Sequence, residues 1–74
     1  MERKKGKTRI RELREARGLS QEQLAQAIGT TNQTISNYET GTTEPDIDAI
    51  TKLCQFFNVT AGYLLNIEKY NFTN

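Results

Sequence analysis

The sequence predicts an all-α domain built from five short helices. Three observations carry that prediction. Apolar residues recur every three or four positions in five separate runs. A small polar residue suited to capping precedes each run, and glycine or asparagine closes four of them, at Gly18, Gly29, Gly41 and Asn58. No stretch keeps a clean two-residue alternation, and no Asn-Gly or Asp-Gly hairpin turn occurs.

Residues 1–7 hold no periodic apolar residue and include Gly6, so they read as a flexible basic arm. Thr8 is the expected cap of the first helix, which carries Ile10, Leu13 and Ala16 on one face and stops at Gly18. Ser20-Gln21-Glu22-Gln23 has the form of a capping box, and Leu24, Ala25 and Ile28 follow on a single face. Gly29 ends this second helix after about two turns. Thr31 caps the third helix, which runs through Ile35 and Tyr38 to Gly41. Thr42-Thr43-Glu44-Pro45 is a loop. Asp46 caps a fourth helix whose expected apolar face is Ile47, Ile50, Leu53, Cys54 and Phe57, ending at Asn58. Thr60 caps a short fifth helix with Leu64 and Leu65 turned inward. The domain is therefore expected to span 8–66. The tail 67–74, apolar at Ile67, Tyr70 and Phe72, is expected to fold back on the core or to join a dimer contact.

Composition narrows the function classes. At 74 residues the chain is one domain at most. With 35% hydrophobic and 26% charged residues it is globular and not disordered. The single cysteine, Cys54, forbids an internal disulfide, and a core position on the fourth helix is expected for it. No apolar run approaches the roughly 20 residues that span a bilayer. The charged start is followed by no apolar stretch, so neither a membrane association nor a signal peptide is expected, and a cytoplasmic setting is the default. Histidine is absent and the carboxylates are scattered. Neither a metal site, a cofactor, a small-molecule substrate nor an enzyme activity is expected from such a set. Net charge is +1, but it is unevenly spread. Residues 1–17 hold eight bases and three acids, a net of +5, and the remainder carries −4. An asymmetry of this kind marks either a basic face that meets a polyanion or a solvated terminus.

The most informative segment is the pair of helices joined at Gly29. Two short helices meeting through a three- or four-residue turn with glycine form a helix-turn-helix. Such a turn needs a positive φ, which glycine supplies without steric cost. Ala25, one turn earlier, is small where the next helix crosses. Leu24, Ile28, Ile35 and Tyr38 are placed to lock the two together. On the third helix, Ile35 and Tyr38 mark the buried side, while Asn32, Gln33, Ser36 and Asn37 occupy an arc of about 140° opposite them. A merely solvated face more often carries Lys and Glu, which are better helix formers than Asn, Ser and Thr. Amides donate and accept together, matching the N6 donor and N7 acceptor of adenine in the major groove.

These residues resemble the Cro/lambda-repressor-like (XRE-type) helix-turn-helix family of phage and bacterial transcriptional regulators. The matching pieces are Leu19-Ser20-Gln21-Glu22-Gln23-Leu24-Ala25, Gly29, Thr34-Ile35-Ser36, Glu39-Thr40-Gly41, Pro45, and Val59-Thr60 through Leu64-Leu65, in family order and spacing across residues 8–66. The resemblance implies a compact five-helix DNA-binding domain with the motif formed by helices 2 and 3. It also implies double-stranded operator DNA as partner and a two-fold homodimer on a palindromic site. Carried over by position, Asn32, Gln33, Ser36 and Asn37 are the expected base readers, and Gln21 is a phosphate contact. Arg14 and Glu39 are a pair tying the first helix to the end of the third and aiming the arginine at a phosphate. Thr31, Thr40, Thr42, Arg9 and Lys7 complete the candidate backbone contacts. Tyr63, Leu64 and Ile67 are the candidate dimer contacts. Two departures stand out: the loop after Gly41 is Thr42-Thr43-Glu44 where the family is often basic, and Thr30 replaces the usual aliphatic residue of the turn. The expected function is sequence-specific regulation of transcription, as a repressor. The alternative is a protein-interaction module of the same fold, such as the antitoxin of a toxin–antitoxin pair.

Overall fold

A computed structural model describes residues 8–67. The expected arm at 1–7, with Lys7, and all of the tail beyond Ile67 lie outside the described residues. Five α-helices follow in order: α1 Ile10–Ala16, α2 Gln21–Ile28, α3 Asn32–Thr40, α4 Ile47–Phe57 and α5 Ala61–Leu64. No strand occurs among the described residues.

Local chemistry sets most of the boundaries. The Ser20 hydroxyl accepts from the Gln23 amide at 3.0 Å, and the Gln23 side chain accepts from the Ser20 amide at 2.8 Å, a complete capping box. Thr31, Asp46 and Thr60 each accept a backbone N–H three residues on, opening α3, α4 and α5. Each such cap contributes about 1 kcal/mol, which matters for helices too short to persist alone. Gly29 sits at φ 77°, and the chain reverses there with Thr30 N–H donating to the Ala25 carbonyl at 2.8 Å. Asn58 closes α4 in the same left-handed region, at φ 59°.

The core joins all five helices: Ile10 from α1, Leu24, Ala25 and Ile28 from α2, Ile35 and Tyr38 from α3, Leu53 and Phe57 from α4, and Leu64 from α5. Leu13, Ala49, Ile50, Cys54, Phe56 and Val59 pack against it half-buried. Burial pushes the Cys54 thiol and the Tyr38 hydroxyl above their ordinary pKa values, and for Tyr38 the nearby Asp46 adds to the effect. Arg17, just beyond α1, ties the last turn of α4 to the rest. Its guanidinium donates to the carbonyls of Phe56 at 3.0 Å and Phe57 at 3.1 Å and lies against both rings. A cation there also meets the negative end of the α4 dipole.

Three expectations are corrected. Thr8 is not the cap of α1: that position is Arg9, whose side chain makes no capping bond. The helix start is pinned instead by tertiary structure, Arg9 N–H donating to the Leu64 carbonyl at 2.8 Å, while the Thr8 hydroxyl accepts from Ile10 N–H at 3.3 Å. Ile47 does not join the apolar face of α4; it is 81% exposed, because at about 100° per residue it lies about 100° around the helix from the direction shared by Leu53 and Phe57, while Ala49 and Ile50 of the same turn pack on the core. Leu64 is fully buried in the protomer's own core, which takes it out of any surface contact and leaves Tyr63 and Ile67, both half-buried, as the candidate dimer positions.

Candidate nucleic-acid interface

The packing of α2 on α3 fixes one outward surface. With Ile35 and Tyr38 held in the core, the opposite side of α3 must face away from it. Asn32 and Gln33 in the first turn are exposed, while Ser36 and Asn37 one turn on are half-buried. The four expected base readers therefore share one face. Gln33 Nε2 donates to Asn37 Oδ1 at 3.0 Å along it. Hydroxyls flank it at both ends. At the start of α3 the Thr31 hydroxyl lies 2.8 Å from that of Thr34. At its end the Thr40 hydroxyl donates to the Asn37 carbonyl at 3.3 Å and lies 2.9 Å from that of Thr42.

Beside this face lies an ion pair whose side chains are largely covered. Arg14 Nε donates to Glu39 Oε2 at 2.7 Å and Arg14 Nη2 to Glu39 Oε1 at 3.2 Å, a fork on a carboxylate. The side chains are 11% and 4% exposed. Arg14 Nη1 also donates to the Leu19 carbonyl at 2.7 Å, joining the end of α1 to the start of α2. Hydrogen bonding to Glu39 holds the Arg14 pKa above its ordinary value against the cost of burial. Gln21, expected only as a phosphate contact, is part of the same cluster: its Nε2 donates to Glu39 Oε1 at 3.0 Å. α1, α2 and α3 are thus fastened at one polar node, which holds the start of α2 and the outer face of α3 in a fixed relation.

The basic side chains fall differently from the expectation of a loose cationic face. Arg9 lies 4.3 Å from the centre of the Tyr63 ring and 3.5 Å from Glu12. Arg11 pairs with Glu15 at 3.1 Å, and Lys52 with Asp48 at 3.3 Å. Together with Arg14 and Arg17, every basic residue of 8–67 has a partner within the protomer. This region carries five bases and seven acids, a net of −2. Sequence reasoning missed the Arg17 and Gln21 contacts, because each joins residues 18 or more positions apart.

A family model described as helix-turn-helix matches residues 10–64. The chain belongs to the helix-turn-helix family. Among its relatives, the helix-turn-helix transcriptional regulator ImmR of Bacillus subtilis is 33% identical over 89% of this chain and 52% of its own length. The cryptic phage CTXphi transcriptional repressor RstR of Vibrio cholerae is 36% identical over 86% of this chain and 58% of its own. This chain spans about half the length of such curated relatives. The helix-turn-helix fold also matches the P22 c2 repressor, solved in complex with a synthetic operator, at a TM-score of 0.79 and 27% identity over 89% of this chain and all of that one. The five-helix, lambda-repressor-like architecture expected from the sequence is thereby shown. Among the described residues, no helix is long and apolar enough to cross a membrane.

Proposed function

We propose that this chain is a sequence-specific double-stranded DNA-binding regulator, acting as a repressor on cytoplasmic DNA. The carrying observation is the exposed, uncharged amide face of α3, presented by a helix-turn-helix whose relatives include named transcriptional regulators and a repressor. In this reading Asn32, Gln33, Ser36 and Asn37 enter the major groove. Gln21, the free amides at the start of α2, and the hydroxyls of Thr31, Thr40 and Thr42 meet phosphates on either side. Arg14 turns what remains of its hydrogen-bonding capacity to the same backbone. Arg9 has to leave the Tyr63 ring to reach a phosphate, so the reading assigns further phosphate contacts to Arg3, Lys4, Lys5 and Lys7. Two protomers bind a palindromic operator with half-sites about 10–10.5 bp apart, meeting through Tyr63 and Ile67.

Selection of sites from random duplexes tests the reading. The expected result is a consensus with two-fold related halves, and two protomers per minimal site in sedimentation. Recovery of unselected sequence overturns DNA reading, and a single protomer per minimal site overturns the dimer.

A further inference from the structure

We infer that Asn37 does not read a base pair of its own but sets which purine Gln33 accepts. The inference rests on the DNA-binding reading above and deepens it.

A primary amide has one acceptor oxygen and two N–H bonds that diverge from each other. In this structure one N–H of Gln33 is already committed: Nε2 donates to Asn37 Oδ1 at 3.0 Å, one helical turn along the same exposed face. Gln33, an exposed residue, is left with Oε1 and a single N–H. That remaining pattern, one acceptor beside one donor, is the complement of the adenine edge, which offers the N6 donor and the N7 acceptor. Guanine presents two acceptors, O6 and N7, and needs two donors. A Gln33 free of Asn37 has two N–H bonds to turn toward them. A Gln33 held by Asn37 has one, and its oxygen then faces guanine O6, acceptor against acceptor. Asn37 is half-buried on the side of α3 nearer the core, so its side chain has less freedom than that of Gln33 to move away. No basic residue lies on α3 to supply the donors that guanine requires. Asn37 is thus a positioning residue, and the discrimination it imposes is adenine over guanine at the base pair that Gln33 contacts.

The test is site selection from random duplexes with the full chain and three variants, each checked for folding by circular dichroism. Gln33→Ala identifies the base pair in question as the one whose preference it erases. At that pair the wild type is expected to favour adenine over guanine by roughly five- to hundred-fold, the range of a good bidentate contact. Asn37→Ala is expected to bring adenine and guanine toward parity at the same pair, with no change at others. Asn37→Asp keeps an acceptor for Gln33 Nε2, and is expected to retain the adenine preference while lowering overall affinity through its charge. The inference is overturned if Asn37→Ala relaxes a different base pair, if it leaves the adenine-to-guanine ratio unchanged, or if Asn37→Asp behaves as Asn37→Ala does. A wild type that selects no sequence overturns the underlying DNA reading instead.

Discussion

Arg14→Ala removes the hydrogen bonds to both oxygens of Glu39 and to the Leu19 carbonyl in one step. Glu39, 4% exposed with Arg14 in place, keeps Gln21 Nε2 as its remaining donor. A buried charge stripped of its partner costs about 3–5 kcal/mol. At roughly 0.05–0.15 kcal/mol per residue, a domain of this size has about 4–11 kcal/mol in total, so the variant is expected to approach the unfolding threshold. In thermal terms the loss is a fall in Tm of about 12–40 °C, at about 4–8 °C per kcal/mol for a domain of this size. Urea titration followed by circular dichroism measures it as a lower midpoint at unchanged slope. The double variant Arg14→Met with Glu39→Leu removes both charges, and is expected to recover most of the stability, since apolar replacements of buried pairs are often neutral or better. Its DNA affinity is expected to stay low, because the cation proposed to face a phosphate is gone. Arg14→Ala losing less than about 1 kcal/mol would refute the burial argument, that being the range of an exposed pair. A double variant that binds DNA normally would reduce the pair to a purely structural role.

Gly29→Ala meets open space around the new Cβ, so its cost is the positive φ alone, about 1–2 kcal/mol, read as a drop in urea midpoint; a neutral substitution would contradict the left-handed turn. Deleting Met1 to Lys5 is expected to leave thermal stability unchanged and to flatten the slope of log affinity against log salt by about one to three units, at about 0.9 per phosphate contact. Identical slopes for full-length and trimmed protein would assign the arm to solvent. Stability is expected to be fully present below the ordinary Cys54 value of 9.0 and to fall as pH rises through it and through the ordinary Tyr38 value of 10.0. Both groups have raised pKa values when folded, so the unfolded chain releases their protons first. A midpoint constant from pH 7 to 11 in Cys54→Ala, alongside a fall in the wild type, would confine the effect to the thiol and contradict the part given to Tyr38.

Punctuation made most of this fold legible. Ser20 with Gln23, Thr31, Asp46 and Thr60 act through backbone groups three residues away, and Gly29 and Asn58 through their own dihedral angles, so their effects are written locally. Thr8 misled because Arg9 N–H finds its partner on Leu64, 55 positions along the chain. Ile47 misled for a different reason: at about 100° per residue it stands at the flank of the stripe centred on Leu53 and Phe57, about 100° from its middle, and an apolar residue type there does not by itself bring cover. At the interface, the amide face of α3 could be read from residue types and spacing. The engagement of Gln21 by Glu39 and of Arg17 by α4 could not, since either arginine or glutamine would serve equally well on a solvated surface. The net charge of residues 1–17 likewise overstated the free cations, because Arg9, Arg11, Arg14 and Arg17 all turn to partners inside the protomer.

The central claim is that the outer face of α3 reads bases. Fluorescence anisotropy with the selected operator and with a random duplex, for wild type and Gln33→Ala at one salt concentration, tests it most directly. The account predicts that Gln33→Ala loses about 1–3 kcal/mol on the operator and almost nothing on the random duplex. Equal losses on both duplexes would contradict it, and would make Gln33 a contributor to general affinity and not a reader of sequence.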